Sequence, residues 1–130
     1  MCASIAGMGI LASQFSGCAP LPMCKGDICK GVISVPLSSF TDKNKIVIVR
    51  NKQLEFDILL VKQTEDIYYA LLMKCTHQEN PLTANPSGLF CSTHGSTFDL
   101  HGNVTKEPAL NPLKKFKTKV NNSSIEIVLE

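Results

Sequence analysis

The chain has 130 residues, a length that fits one folded domain with a sizeable hydrophobic core. Its hydrophobic fraction of 44% and charged fraction of 18% are those of an ordinary globular protein and exclude an intrinsically disordered one. The formal net charge of +2 lacks the strong basic excess of a nucleic-acid-binding protein. Composition therefore predicts one globular domain without a nucleic-acid partner.

Residues 1–24 contain no charged side chain, and this run includes the sequence Ser16-Gly17-Cys18. Small residues directly before a cysteine are the cleavage site of a lipoprotein signal peptidase, so residues 1–17 resemble a bacterial lipoprotein signal. The resemblance implies lipidation of Cys18 and a membrane-anchored chain in the cell envelope, facing the periplasm or the exterior. A transmembrane anchor and a buried N-terminal helix are the alternatives. Glycines and prolines interrupt the apolar stretch of about 20 residues that a spanning anchor needs.

Residues 18–31 are predicted to form a linker between this segment and the folded domain, with Ala19-Pro20-Leu21-Pro22 as a short stiff spacer. Cys24 and Cys29 follow, separated by a segment in which Gly26 permits a turn. Outside the cytosol two such cysteines can close a small disulfide loop. The alternative is two unrelated thiols near the terminus, and the sequence leaves both interpretations open.

Alternating apolar and polar residues between positions 32 and 130 predict an all-β domain, because successive side chains of a strand point to opposite faces. No long stretch shows helical periodicity. The second and third predicted strands are joined by a hairpin turn at residues 63–66, and the last two form an antiparallel pair with one solvated face. The predicted strands are residues 46–49, 56–61, 67–73, 115–120 and 125–130.

Lys115, Lys117 and Lys119 alternate with apolar residues in the first strand of the closing pair. We interpret them as a solvated strand face, partly paired with Glu126 and Glu130 across the hairpin. A docking patch is the alternative.

Residues 75–113 lack sustained alternation but contain two cysteines and all three histidines of the chain. Long irregular segments in small domains are usually functional. In Cys75-Thr76-His77 and in Cys91-Ser92-Thr93-His94, one loop can aim both a thiolate and an imidazole at a metal. Thiolates are strong donors to ferric iron, and imidazole ligands raise the reduction potential of the iron that they bind. The two loops therefore predict a metal centre.

Three other interpretations of these residues compete with an iron cluster. Four cysteine and histidine ligands could bind structural zinc, although such sites favour C-x2–4-C and H-x3–5-H pairs. Cys91 and His94 could act as a catalytic thiol and base, which would leave Cys75 and His77 without a role. All four could also be incidental core or loop residues. His101 fits no ligand position and is predicted to be a turn residue.

The pattern C-x-H followed by C-x-x-H-G-S-x-F-D resembles the signature of the Rieske family, and the resemblance covers about residues 32–130. It implies a Rieske-type antiparallel β-sandwich of three small sheets with a loop-rich cluster-binding lobe at about residues 75–113. It implies one 2Fe–2S cluster per chain, with Cys75 and Cys91 on one iron and His77 and His94 on the other. Ser96 keeps the hydroxyl that high-potential relatives aim at a bridging sulfide.

The sequence departs from the respiratory members of that family at three positions. Those relatives carry an additional cysteine in each ligand loop, and the two cysteines pair as a disulfide; the corresponding positions hold Asn80 and Thr93 here. Phe98 stands where those relatives have a tyrosine whose hydroxyl reaches a cysteine sulfur. We therefore expect no disulfide between the loops and one hydrogen-bond donor fewer.

The resemblance implies one-electron transfer through the cluster by a small membrane-tethered carrier. Redox partner proteins or quinol would exchange electrons with it, and the lipid on Cys18 would attach it to the membrane. No residue is assigned a catalytic role, so an electron-transfer protein is expected rather than an enzyme in its own right. The alternative is a Rieske subunit or ferredoxin component of a multi-subunit oxidoreductase or oxygenase.

Overall fold

The computed structural model describes residues 21–129, so the expected signal segment at residues 1–17 and the lipidation site Cys18 lie outside the described residues. Within this range the regular secondary structure is almost entirely β-strand. In chain order the elements are β1 (Met23–Lys25), β2 (Ile28–Cys29), β3 (Val32–Pro36), a short 3-10 helix (Leu37–Ser39), β4 (Ile46–Arg50), β5 (Ile58–Lys62), β6 (Tyr68–Leu72), β7 (Thr83–Asn85), β8 (Gly88–Phe90), β9 (Thr97–Phe98), β10 (Val104–Lys106), β11 (Lys115–Val120) and β12 (Ser124–Val128).

The strands form two sheets of different size. The larger has eight strands in the order β1-β4-β5-β6-β11-β12-β3-β2, and the smaller has four in the order β10-β9-β8-β7. Neighbouring strands are antiparallel except β1 and β4, which run parallel. The smaller sheet, with the loops around it, is the lobe that carries both candidate ligand loops.

Strand β5 shows why the centre of the larger sheet is apolar on both faces. Because side chains alternate along a strand, Leu59 and Val61 face one core and Ile58 and Leu60 face another. The first core also contains Cys75 and Cys91, so it joins the sheet to the lobe. A strand that is buried on both faces has a nearly continuous run of apolar residues. The sequence of β5 shows such a run, with four buried apolar residues in succession.

The larger sheet folds over on itself around the second core. Ile33 of β3 and Ile127 of β12 pack in that core together with Val47 of β4 and Leu60 of β5, although all four strands belong to one continuous sheet. The molecule therefore has three layers: the folded-over strands, the central strands and the lobe. This arrangement confirms the predicted all-β, Rieske-type fold class.

The predicted strands at residues 46–49, 67–73 and 115–120 are confirmed within one or two residues. The strand predicted at 56–61 begins two residues later at Ile58, and Asp57 instead pairs with Arg50 through two hydrogen bonds of 3.0 and 2.7 Å. The closing antiparallel pair is confirmed, and its register sets Lys119 opposite Glu126. In addition, β1 and β2 lie within the segment 18–31, for which the sequence predicts a linker.

The loop disulfide between Cys24 and Cys29 is not formed. Cys24 is a free, half-buried thiol, whereas Cys29 is disulfide-bonded. Burial raises the pKa of the Cys24 thiol, outweighing a hydrogen bond with Ser39 that lowers it. Cys24 therefore remains a protonated thiol at neutral pH. In the described part of the chain, we find no helix with the length and apolar character that crossing a bilayer requires.

Candidate metal centre

The first candidate ligand loop follows β6 and contains Cys75 and His77. The N–H of Cys75 donates a hydrogen bond to the carbonyl of Asn80 at 2.9 Å, and an isolated bridge between Lys74 and Pro81 closes the base of the loop. The Cys75 side chain lies in the core and is 1% exposed, whereas His77 is exposed. This loop therefore directs its sulfur inward and its imidazole to the surface.

The second candidate ligand loop follows β8 and repeats this arrangement. The N–H of Cys91 donates to the carbonyl of Ser96 at 2.8 Å, and the N–H of Gly95 donates back to the carbonyl of Cys91 at 3.0 Å. Gly95 has a φ of +83°, and a Cβ at this position would meet nothing within 4 Å, so backbone conformation rather than crowding favours glycine there. Cys91 is 2% exposed and His94 is exposed.

The two loops bring their cysteine side chains together and their histidine rings together. The Cys91 thiol is hydrogen-bonded to Cys75, and the rings of His77 and His94 meet edge to face with centroids 5.1 Å apart. The four predicted ligands therefore form a buried sulfur pair and an exposed imidazole pair. Across residues 21–129, no three His, Cys, Asp or Glu side chains converge on a single ion position.

Hydrogen bonds to Cys91 favour the thiolate that a metal would bind. Burial raises the pKa of this thiol, but donors from the backbone and side chain of Thr93, the backbone of His94 and the Cys75 thiol outweigh burial and lower it. Thr93 stands where disulfide-containing relatives are expected to have a cysteine. Here its side chain supports the neighbouring sulfur instead.

The donor set and its arrangement fit a two-iron cluster. In the cluster that the Rieske resemblance implies, two thiolates would bind one iron and two imidazoles the other, so the donors would be required in two pairs. A tetrahedral zinc site instead needs four donors around one ion. The pairing of sulfur with sulfur and of imidazole with imidazole is the observation that fits the cluster.

Ser96 lies directly behind the second loop and is 0% exposed. Its Oγ accepts a hydrogen bond from the N–H of Ala109 at 3.0 Å. A hydroxyl has one donor and two acceptor positions, so this contact leaves the Ser96 proton available for another acceptor. Phe98 is 2% exposed and packs in the core that joins sheet and lobe, without a hydroxyl to donate.

A third loop, residues 107–113, contacts both ligand loops, and sequence reasoning missed this. Besides the contact between Ala109 and Ser96, the hydroxyl of Thr76 donates to the carbonyl of Asn111 at 2.6 Å. The Thr76 and Asn111 positions are 35 residues apart. Neither contact involves a spacing motif, so the sequence alone gives no signal for them.

The second ligand loop and the strands beside it carry no charged side chain. Residues 80–98 contain no Asp, Glu, Lys or Arg, and Leu110 of the third loop is 76% exposed. A shallow cavity of about 310 Å³ adjoins His77 and is bordered by Lys74, whose ammonium pairs with Glu79 at 2.9 Å. A larger cavity, about 810 Å³, lies between the β1–β2 turn and the β4–β5 loop and contains none of the four candidate ligands in its lining.

His101 is confirmed as a turn residue. Its backbone N–H donates to the Asp99 carboxylate at 2.9 Å, and its exposed ring meets Tyr69 edge to face at 5.2 Å. It lies in the turn between β9 and β10, outside both ligand loops.

The family model described as Rieske [2Fe-2S] domain matches residues 34–117, more than half of the chain. Among solved structures, the chain is similar to the cyanobacterial plasma membrane Rieske protein PetC3 from Synechocystis PCC 6803, with a TM-score of 0.51 and 22% sequence identity. That match covers 75% of this chain and 86% of the other. At this identity the structural likeness shows the fold alone. No curated protein matches the chain.

Proposed function

We propose, from the premise that this chain belongs to the Rieske [2Fe–2S] domain family, that it is a small electron carrier in which Cys75, Cys91, His77 and His94 hold the cluster. Membership of the family implies the cluster itself and one-electron transfer through it. The assignment of ligands and the role as a membrane-tethered carrier are our proposals.

One observation supports the ligand assignment. The side chains of the two cysteines are buried together, and the rings of the two histidines are exposed together. When bound, the cluster supplies a one-electron redox couple. Cys75 and Cys91 hold the end that faces the apolar core, where water is excluded. His77 and His94 reach solvent, so a partner that docks over the imidazoles comes closest to the metal. Electrons are therefore expected to enter and leave at the histidine end of the lobe.

The surrounding residues adjust how easily the centre is reduced. Reduction adds a negative charge, and donors aimed at sulfur stabilise that charge and raise the potential. Ser96, which has a hydroxyl proton available, is proposed to donate to a bridging sulfide, and Thr93 donates to Cys91. Phe98 cannot donate, so the potential should lie between the extremes of the family, roughly −150 to +300 mV.

We assign no catalytic residue, since the proposed role is transfer of single electrons between partners. A redox protein or a quinol is the expected class of partner. Tethering by a lipid on Cys18 is supported by the uncharged run that contains Ser16-Gly17-Cys18. The similar structure is described as a plasma membrane Rieske protein, a description that applies to that protein.

Metal analysis and a visible absorption spectrum test the central proposal. The purified protein should be red-brown and contain about two irons and two acid-labile sulfides per chain. One zinc per chain with no visible absorbance would overturn it.

Membrane fractionation tests the tether separately. Expressed in a bacterium behind a positively charged n-region, the chain should be processed at Cys18 and recovered with the membranes. The Cys18→Ala variant should move to the soluble fraction. Equal membrane association of the variant would show that the tether is not a lipid on this residue.

A further inference from the structure

We propose that the short tether on Cys18 holds the domain with the histidine end of the lobe pointing away from the bilayer. The electron partner is then a water-soluble redox protein rather than a quinol dissolved in the membrane. The inference rests on the proposed function, because it names the partner of that site and takes the lipid on Cys18 as the tether. Its starting point is how residues 21–26 are attached to the domain.

These residues, the first that the structure describes, are fastened to the edge of the larger sheet. Strand β1 pairs in parallel with β4, and backbone hydrogen bonds extend this pairing at both ends. The N–H of Ile48 donates to the carbonyl of Pro22 at 2.9 Å. The N–H of Gly26 donates to the carbonyl of Arg50 at 3.3 Å. Leu21 packs against the core that joins sheet and lobe, so the chain is fixed to the domain from Leu21 onwards.

The tether that precedes this fixed segment is short. Cys18 and Leu21 are three residues apart, and three residues span at most about 11 Å when fully extended. A lipid on Cys18 would therefore keep Leu21 within about 11 Å of the bilayer surface. The part of the domain next to Leu21 has to stay at that surface.

The register of the larger sheet sets the level of Leu21 relative to the ligand loops. Continuing the pairing of β1 with β4 back by two residues places Leu21 level with Ile46. Across the sheet, Ile46 lies opposite Val61, which in turn lies opposite Tyr69. Tyr69 precedes Cys75 by six residues, which corresponds to about 20 Å at about 3.3 Å per residue. The first ligand loop thus begins about 20 Å from the level at which the chain enters the sheet.

The end of the sheet at which the chain enters is formed by turns that contain none of the candidate ligands. We call these turns the base; they are residues 41–45, 63–67 and 121–123. The N–H of Lys62 donates to the carbonyl of Lys45 at 2.8 Å, which makes the first two turns neighbours. The hydroxyl of Thr118 donates to the carbonyl of Tyr68 at 3.0 Å, so β11 ends at the base as well. Ile67 of the base is 48% exposed, an apolar side chain that suits a bilayer surface.

The two candidate histidines lie at the opposite end of the molecule from the base. With the base at the bilayer, His77 and His94 face the aqueous compartment, about 20 Å or more from the level of Leu21. A quinol dissolved in the bilayer does not reach them there. A water-soluble redox protein docks on them without displacing lipid. The orientation therefore selects a soluble partner.

Quenching of fluorescence by a labelled lipid measures the orientation. The full lipidated chain is added to preformed phosphatidylcholine vesicles that contain a lipid with a nitroxide on its headgroup. A dye is attached to an azide-bearing residue introduced at Asp66 in the base or at Leu110 in the third loop, both of which are exposed. Quenching at Asp66 should exceed quenching at Leu110 about threefold or more, because about 20 Å of strand separates the two ends. Equal quenching, or stronger quenching at Leu110, would overturn the orientation.

A longer tether tests whether the short one sets this orientation. A flexible Gly/Ser segment of about 24 residues, inserted between Ala19 and Pro20, has a root-mean-square length of roughly 27 Å and lets the lobe reach the bilayer. The ratio of quenching at Asp66 to quenching at Leu110 should fall to less than about half of its original value. The same segment added after Glu130 is the matched control, because it lengthens the chain without changing the tether. An unchanged ratio in the tether variant would overturn the role of tether length.

Electron transfer to a soluble protein tests the class of partner. A water-soluble c-type cytochrome is the probe, and its reduction is followed with the vesicle-bound holoprotein and with the Cys18→Ala holoprotein in solution. The second-order rate constants should agree within about threefold, because a docking surface that faces water stays accessible to a diffusing protein. A greater loss on the vesicles would mean that the bilayer covers the histidine end, and it would overturn the soluble partner.

These measurements separate the orientation from the proposed function. Absence of a lipid on Cys18 or of a cluster contradicts the proposed function, and membrane fractionation and metal analysis detect this. The quenching ratio does not depend on the cluster, so it decides the orientation of any membrane-bound chain. A membrane-bound protein that contains its cluster and is quenched equally at both ends would keep the proposed function and overturn the orientation alone.

Discussion

The eight-stranded sheet and the lobe are stabilised by different means. In the sheet, alternate apolar side chains of central strands such as Ile58–Lys62 bury both faces, and the hydrogen bonds follow the strand register. In the lobe, strands of two or three residues leave most of the chain in loops, held by turn hydrogen bonds and by contacts from the third loop. The sheet depends on buried area, whereas the lobe depends on a few directional contacts.

This difference separates stability from function. Substitutions in the second core should lower the free energy of unfolding and leave the metal centre unchanged. Substitutions in the lobe should affect the metal centre first. Four experiments test this comparison, in order of decreasing expected effect.

The largest effect is expected for loss of a sulfur ligand. Cys91→Ser should abolish cluster retention, with less than about a tenth of the wild-type iron and sulfide, because the hydroxyl is a poor donor to ferric iron. Cys24→Ser is the matched control, since Cys24 is a free, half-buried thiol of β1 outside the ligand loops. The β-sheet circular dichroism of both variants should persist. A Cys91→Ser protein with full iron content would contradict the ligand assignment.

A core truncation in the sheet should cost stability without affecting the cluster. Leu60→Ala should lower the free energy of unfolding by about 2–5 kcal/mol, the usual range for a fully buried leucine. Leu89→Ala is the counterpart in the lobe, where Leu89 is also buried. Denaturant titration and bleaching in chelator should show that only Leu89→Ala accelerates cluster loss. Equal acceleration by both variants would mean that sheet and lobe respond as one unit.

The potential should respond to hydrogen bonds at sulfur. A charge-assisted hydrogen bond worth about 1.5–3 kcal/mol corresponds to about 65–130 mV if it formed only in the reduced state. It forms in both states, so Ser96→Ala should lower the potential by tens of millivolts, and Phe98→Tyr should raise it similarly. Protein-film voltammetry measures both shifts. If neither variant moved the potential beyond error, the proposed control by hydrogen bonds would be wrong.

The smallest effect concerns the turn after β9. Burial opposes ionisation of Asp99, but donors from Asn103 and His101 outweigh it and lower the pKa of this carboxyl. A carboxyl group whose pKa is lower in the folded state stabilises the fold at pH values above its unfolded-state pKa of about 3.9. That stabilisation is lost as the pH falls through the folded-state pKa. The free energy of unfolding of Asp99→Asn should therefore fall less on acidification than that of the wild type. The difference should be less than about 1 kcal/mol, since the carboxyl group is largely solvated. Asp66→Asn is the control, because there the backbone N–H rather than the carboxylate makes the turn hydrogen bond.

Sequence reasoning was most accurate where periodicity decides the structure. The runs at 46–49 and 67–73 became strands because β-branched and apolar residues pack well on a pleated surface. The short strands β1 and β2 were not foreseen, since strands of two or three residues give no periodicity and are formed by pairing with other strands. The candidate ligands were identified from their motif. The hydrogen bond between Thr76 and Asn111 depends instead on the fold and has no local signal in the sequence.

The pairing of β3 with β12 has a consequence for how this chain is assembled. Val32 lies opposite Val128 and Pro36 opposite Ser124, so β3 finds this neighbour only once residues 124–128 are available. Pairings of such sequence separation are slow to form, because the entropy of closing a long loop is lost before the contacts are gained. During synthesis the ligand loops therefore leave the ribosome before the layer that contains β3 and β12 can close. The second core should therefore close only after residues 124–128 have been synthesised, later than the first pairing of β4 with β5.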